Sequence, residues 1–157
     1  MVALYCRIYQ FIFRLVSYIL PFRKPEIIKS TVELPGVAKR IGLKHLLIIT
    51  DSVISSLGLM DEMMKAFEEQ GVKWTLYDKT VANPTIDNIE EALQIYIKYQ
   101  CDGLVTFGGG SSIDCAKGVA ARVARPNKSI PQMKGVLKIL RRTPILFAVP
   151  TTSGTGS

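Results

Sequence analysis

Histidine is nearly missing from this chain: His45 is the only one in 157 residues. A histidine cluster for metal binding therefore cannot be assembled within these residues. Cysteine is also scarce. Cys6, Cys101 and Cys115 lie far apart, odd in number and without paired metal spacing. That pattern argues against a disulfide framework and fits a reducing, cytoplasmic setting. No run of 18 uncharged apolar residues reads as a membrane span, and no small-residue cleavage site follows a clean apolar core. Repeats and low-complexity tracts are absent. So are the Walker pattern Gly-x-x-x-x-Gly-Lys-Ser/Thr and the usual dinucleotide fingerprint, Gly-x-Gly-x-x-Gly after a first strand.

Acidic residues are lacking in particular places. Residues 122–157 carry seven Lys/Arg and no acid, and residues 1–44 carry eight Lys/Arg against two Glu, whereas residues 45–121 carry five Lys and eleven Asp/Glu. The formal net charge of +7 is thus unevenly spread. Aromatics are not interleaved with the basic stretch Arg122 to Arg142, and no nucleic-acid motif appears, so nucleic acid is not expected as a partner.

What is present is an ordinary globular composition, 48% apolar and 21% charged, in a length suited to about one domain. Two regions are expected: an apolar, basic, helical extension over residues 1–25, and a dinucleotide-binding domain over residues 26–157 that stops short at its C-terminal end. In the first, Ile8, Ile12, Leu15 and Ile19 recur at helical spacing, Arg7 and Arg14 lie on another face, and Pro21 ends the pattern. A helix packed on its own protein or on a second subunit is the first reading. A membrane-surface helix ranks below it.

Strand-like and helix-like runs then alternate. Leu46 to Thr50 is a continuous apolar run suited to a buried parallel strand. Met60, Met63, Met64 and Phe67 follow at helical spacing as core filling, and Gly71 stops that helix. Trp74 to Tyr77 is the next strand, and Asn83-Pro84-Thr85 a turn. Ile89, Ala92, Leu93, Tyr96 and Ile97 stripe a helix, with Asp87 and Glu90 placed at its start. Leu104 to Phe107 leads into a glycine-rich stretch and a helix to about Arg122. Met133 to Leu140 is expected as a short helix, and Ile145 to Val149 as the last strand. The alternation implies right-handed crossovers and an α/β fold: a doubly wound, mainly parallel, Rossmann-like sheet.

Two glycine-rich stretches carry the chemistry, each directly after a strand: Gly108-Gly109-Gly110-Ser111-Ser112-Ile113-Asp114 and Pro150-Thr151-Thr152-Ser153-Gly154-Thr155-Gly156-Ser157. In open parallel sheets, ligands sit beyond the carboxyl ends of strands. In the first stretch, glycines clear side chains from backbone N–H groups, Ser111 with Asp114 matches a capping box, and the following helix end favours an anion such as a pyrophosphate. A tight strand-to-helix turn is the plainer alternative. Thr151, Thr152 and Thr155 offer hydroxyls to a phosphate or a nicotinamide amide, or form a polar turn. Asp51, after the first strand, either bonds a ribose diol and repels a 2′-phosphate, which favours NAD over NADP, or caps a helix. Asn83 is a turn residue by default. Cys115 reads as a helix-packing residue, Lys117 as a pairing partner near the loop, and His45 as a surface residue.

Gly-Gly-Gly-Ser-x-x-Asp-x-Ala-Lys, followed later by Pro-Thr-Thr-x-Gly-Thr-Gly-Ser, resembles the N-terminal domain of the iron-containing (group III) alcohol dehydrogenases. Thr50-Asp51 and Asn83-Pro84-Thr85 stand where that family has them. The resemblance covers roughly residues 26–157. It implies an NAD(P)-dependent, metal-dependent oxidoreductase acting on a small alcohol or aldehyde, and a homo-oligomer. It assigns dinucleotide contacts to Asp51, Asn83, Gly109, Gly110, Ser111, Ser112, Ile113, Asp114, Thr151, Thr152 and Thr155. It also implies Fe2+ or Zn2+ held by one Asp and three His in a helical domain that this sequence does not contain, so this stretch alone is expected to be inactive, with no catalytic residue and no metal ligand. Ser112 stands where many members have Pro. A glycerol dehydrogenase-like relative is the alternative enzyme, and a non-catalytic nucleotide-binding module the alternative class should the chain truly end at Ser157.

Overall fold

The computed structural model describes residues 25–136 and 138–153, together with Arg7, Ile8, Gln10, Phe11 and Arg14. Four strands make one sheet: β1 (His45–Ile49), β2 (Lys73–Tyr77), β3 (Gly103–Gly108) and β4 (Ile145–Pro150). All pairings are parallel, in the order β2-β1-β3-β4. The helices are α1 (Leu34–Arg40), α2 (Ser52–Ser56), α3 (Asp61–Glu69), α4 (Ile86–Lys98) and α5 (Gly110–Ala124), with 3-10 turns at Thr31–Glu33 and Pro131–Met133.

The strands form where continuous apolar runs can be buried on both faces. Leu46, Ile48, Val105 and Phe107 point to one face and pack with α1 and α3 through Leu34, Ala38, Met60, Met63 and Phe67. Leu47, Ile49 and Leu104 point to the other and pack with α4 and α5 through Ile89, Leu93, Tyr96, Ala116 and Val119. Alternating side chains thus serve two cores, which is what a doubly wound sheet requires. The chain steps one way from β1 to β2, then returns past β1 to β3 and β4. That reversal puts a topological switch point between β1 and β3.

At the amino end of the sheet, three helices end in the same way. After α1, Leu43 N–H donates to Ala38 O and Gly42 N–H to Lys39 O; after α3, Val72 donates to Phe67 O and Gly71 to Glu68 O; after α4, Cys101 donates to Tyr96 O and Gln100 to Ile97 O. Each is a Schellman turn with a left-handed residue just past the cap. Gly42 and Gly71 supply that residue at φ 85 and 66, but after α4 it is Gln100 at φ 54.

Two expectations are corrected. Met133 to Leu140 is not a helix: the described residues after Pro131–Met133 are irregular, because Gly135 takes φ 115 and Leu140 φ 34, outside the right-handed region. The start of α4 is set by neither Asp87 nor Glu90. Thr85 is the N-cap, accepting from Asn88 N–H, while the Asn88 side chain accepts from Thr85 N–H.

Candidate active site

The carboxyl ends of β1, β3 and β4 lie side by side, and buried Thr50 ties the end of β1 to those of β2 and β3. Its N–H donates to Tyr77 O at 2.9 Å, its carbonyl accepts from Thr80 N–H at 3.2 Å, and its hydroxyl donates to Phe107 O at 2.7 Å. Thr151 N–H donates to Gly108 O at 3.0 Å, so the start of the second stretch lies beside the first. Thr50 bonds to backbone groups only, through its own N–H and carbonyl and through its hydroxyl; its place at the end of an apolar strand was the available signal.

Asp51 fills both of its expected geometries. One carboxylate oxygen, Oδ1, accepts from Val53 and Ile54 N–H, each at 3.0 Å, and so caps α2. The other, Oδ2, faces the backbone of Gly108: a β-carbon built there would lie 3.7 Å away. The capping role and a carboxylate edge turned to the switch point therefore coexist.

The loop after β3 departs from the expected capping box. The N-cap of α5 is Gly109, without a side-chain cap. Ser111 lies within the first turn, and its hydroxyl accepts from Asn83 N–H at 3.3 Å. Asp114 instead sits 3.4 Å from Lys117 Nζ. The reason is Gly108, whose φ of 152 bends the chain so that the N-cap falls two residues before the one the Ser-x-x-Asp pattern suggests. Ser112 and Ile113 are buried beneath the loop. Ser112 lies so close to Gly108 that an added β-carbon would meet its Oγ at 2.6 Å. Thr152 Oγ1 faces Gly109. The backbone N–H groups at the start of a 15-residue helix are thus presented to the crevice with neither cap nor acidic side chain in the first turn. Thr155 lies outside the described residues.

The loop that brings Asn83 to Ser111 is braced from behind. Asn88 Nδ2 donates to Tyr77 Oη and to Lys79 O, each at 3.2 Å. Tyr77 Oη donates to Glu91 at 3.2 Å, and Lys79 pairs with Glu91 at 2.8 Å. Burial, with Glu91 nearby, pushes the Tyr77 phenol up to about 12. The hydrogen bond from Lys79 holds Glu91 below its usual range. No sequence motif marks this network, apart from the Thr85-x-x-Asn88 spacing.

Cys115 is buried in the α5 core, and burial raises its thiol to about 11, so it is a packing residue and not a thiolate at neutral pH. His45 is at the opposite end of the sheet, where Nε2 lies 2.8 Å from Thr75 Oγ1. Among the described residues, no three His, Cys, Asp or Glu come together to hold a metal ion. A bound metal therefore has no fitting donor set among the described residues. No helix among the described residues is long and apolar enough to cross a membrane.

Comparison with known proteins gives these features a lineage. The chain is 41% identical over 119 residues to alcohol dehydrogenase 4 of Schizosaccharomyces pombe, covering 76% of this chain and 28% of that protein. It is 35% identical over 119 residues to the NAD-dependent methanol dehydrogenase of Bacillus methanolicus, covering 76% and 31%. Among solved structures it matches the alcohol dehydrogenase from Oenococcus oeni with a TM-score of 0.72 and 32% identity, over 80% of this chain and 33% of that one. The chain thus spans about a third of the length of the relatives it matches. The sequence profile of the iron-containing alcohol dehydrogenases matches residues 28–157. With its parallel sheet and its paired glycine-rich stretches, the chain belongs to the iron-containing alcohol dehydrogenase family.

Proposed function

We propose that this chain is the dinucleotide-binding part of an NAD-dependent alcohol dehydrogenase that interconverts a small alcohol and its aldehyde. One observation carries the reading. Asp51, the Gly108–Ser112 turn and Thr151-Thr152 meet at the switch point between β1 and β3, where parallel sheets bind nucleotides.

The crevice fits a dinucleotide. Gly109 and Gly110 leave room for a pyrophosphate, and the N–H groups of the first α5 turn and the positive helix end stabilise its charge. The Ser111 and Thr152 hydroxyls add donors at the rim. Asp51 Oδ2 accepts from a ribose diol, while its charge repels a 2′-phosphate. Asn83, held to Ser111, closes the side nearest β2. When bound, the nicotinamide ring accepts or returns the hydride. The residues of this chain bind and orient it. The family's iron, or zinc in its place, would take its ligands from outside the described residues, and no step here runs through it.

Fluorescence titration of the full-length protein with NADH and NADPH tests the proposal. Saturable NADH binding, with NADPH at least tenfold weaker, is expected. Absence of binding to either in a folded protein refutes it.

A further inference from the structure

The loop between β2 and α4, residues 78–85, sets where Asn83 meets the glycine turn. Asn83 takes a left-handed φ of 54, a region that asparagine enters more readily than most residues. Its N–H donates to Ser111 Oγ at 3.3 Å. That is the long end for such a bond, so a shift of a few tenths of an ångström breaks it. The loop is anchored on two sides. Thr80 N–H donates to Thr50 O at 3.2 Å. On the other side, Asn88 Nδ2 donates to Lys79 O at 3.2 Å while Asn88 Oδ1 accepts from Thr85 N–H at 3.4 Å. One side-chain amide thus staples the two ends of the stretch that has Asn83 in its middle. The amide is itself fixed by Tyr77, which is 1% exposed: Tyr77 Oη accepts from Asn88 Nδ2 and donates to Glu91, each at 3.2 Å. Asn88 therefore does more than cap α4. The cap uses Oδ1 and the backbone N–H, whereas Nδ2 reaches outside the helix to Lys79 and Tyr77.

We propose that Asn88, backed by Tyr77, is a positioning residue for the dinucleotide: it holds Asn83 where the Asn83 N–H turns the Ser111 hydroxyl into a donor to the pyrophosphate. A hydroxyl has one proton and two lone pairs. Among the described residues, Ser111 Oγ has no hydrogen bond besides the one it accepts from Asn83. With Asn83 N–H on a lone pair, the proton is left for the crevice, where a phosphate oxygen can only accept. The two bonds in the row polarise one another. Without Asn83 in place, the hydroxyl is free to turn its proton to a neighbouring backbone carbonyl instead. The role rests on the dinucleotide reading given above.

A double-mutant cycle, read by fluorescence titration of the full-length protein with NADH, tests this. Ser111→Ala removes the donor and is expected to weaken NADH about tenfold, the size of a hydrogen bond to a charged oxygen. Asn88→Asp keeps an oxygen for Thr85 N–H, and with it the α4 cap, but sets its other oxygen against the Lys79 carbonyl. It is expected to weaken NADH about fivefold, one ordinary hydrogen bond. Tyr77→Phe withdraws only the phenol behind the amide and is expected to cost about threefold; it supplies the cycle should Asn88→Asp fail to fold. The variant S111A/N88D is expected to bind like Ser111→Ala alone, because Asn88 acts through a hydroxyl that is already gone. A general loosening of the fold would instead add to the loss from Ser111→Ala. Additive losses, or unchanged affinity in Ser111→Ala or Asn88→Asp, overturn this role alone. A folded parent protein that fails to bind NADH overturns both this role and the dinucleotide reading.

Discussion

A methyl group added at Gly108 or at Gly109 tests two different physical claims one residue apart. At Gly108, φ is 152, and the new β-carbon would lie 2.6 Å from Ser112 Oγ and 3.0 Å from Ser112 Cβ. Ser112 is 1% exposed and cannot swing away. Backbone strain of about 1–3 kcal/mol and overpacking of similar size put Gly108→Ala at roughly 3 kcal/mol of lost stability. Gly109 has φ of −79, and its added carbon would make ordinary contact with Thr152, 3.4 Å from Oγ1. Gly109→Ala therefore destabilises by only about 0.5 kcal/mol, the Gly-to-Ala difference at an N-cap. Its methyl nevertheless adds bulk at the N-cap of α5, beside the N–H groups proposed to take a pyrophosphate. Urea unfolding and NADH titration separate the two effects. Gly109→Ala is expected to unfold almost like the parent while binding NADH at least tenfold more weakly. Unchanged affinity in that stable variant would refute the assignment of the turn as a phosphate cradle.

Further outcomes follow from the same geometry. Asp51→Asn keeps the α2 cap and removes the charge, so stability should change by less than about 0.5 kcal/mol while the NADH-over-NADPH preference falls severalfold; an unchanged preference sinks the ribose role. Gln100→Gly relieves a left-handed residue in the third Schellman turn and is expected to raise stability by about 0.5–1 kcal/mol in urea melts. The thiols of Cys101 and Cys115 are both raised from 9.0 to about 11 by burial. Raised values favour the protonated folded state, so their contribution is complete below pH 9 and is lost as pH rises toward 11, on the order of 1 kcal/mol per pH unit for each thiol. Cys115→Ala should flatten that alkaline decline, and a slope identical to the parent's counts against the assignment.

The central strands β1 and β3 were legible because each is an apolar run buried on both faces, a pattern with few other solutions at that length, and the half-buried edge strands β2 and β4 were legible from shorter apolar runs. The Met60–Phe67 helix and its stop at Gly71 were legible for the same reason: periodicity and a left-handed glycine are both local. The matching stop at Gln100 was not, because only the tertiary demand to enter β3 forces a glutamine into that conformation. At the site, the co-location of Asp51 with the two glycine-rich stretches followed from strand ends in a parallel sheet. Ser111 was misplaced as a cap because its spacing to Asp114 is that of a capping box, and only the bend at Gly108 moves the helix start. Thr85 and Asn88 were passed over for nearby acids, although Thr-x-x-Asn satisfies the same two N–H groups. Over 133–140, propensity favoured a helix, but Gly135 and Leu140 take positive φ and the described residues Val136, Lys138 and Leu140 are exposed.

The helix starts support the proposed place of the anion site. Every helix leaves N–H groups unsatisfied at its amino end, and a fold stabilises them or leaves them to a ligand. Here α2 has Asp51 and α4 has Thr85 with Asn88. Helix α3 lacks a side-chain cap but carries Asp61 and Glu62 in its first turn. Helix α1 has Pro35 in its first turn, which removes one such group, and continues from a 3-10 turn. Helix α5 has no cap, no acid in its first turn and no proline, although with 15 residues it is the longest helix among the described elements. Its amino end also stands beside the switch point, with glycines in front of it. Local sequence choices that satisfy the other helices are withheld from this one, and such a departure from local consistency is where a functional site is expected. Gly109→Asp should therefore act as a built-in competitor. By capping α5 it is expected to raise the stability of the ligand-free chain by a few tenths of a kcal/mol while abolishing NADH binding through charge and occupancy. A Gly109→Asp protein that still binds NADH would show that the anion site lies elsewhere.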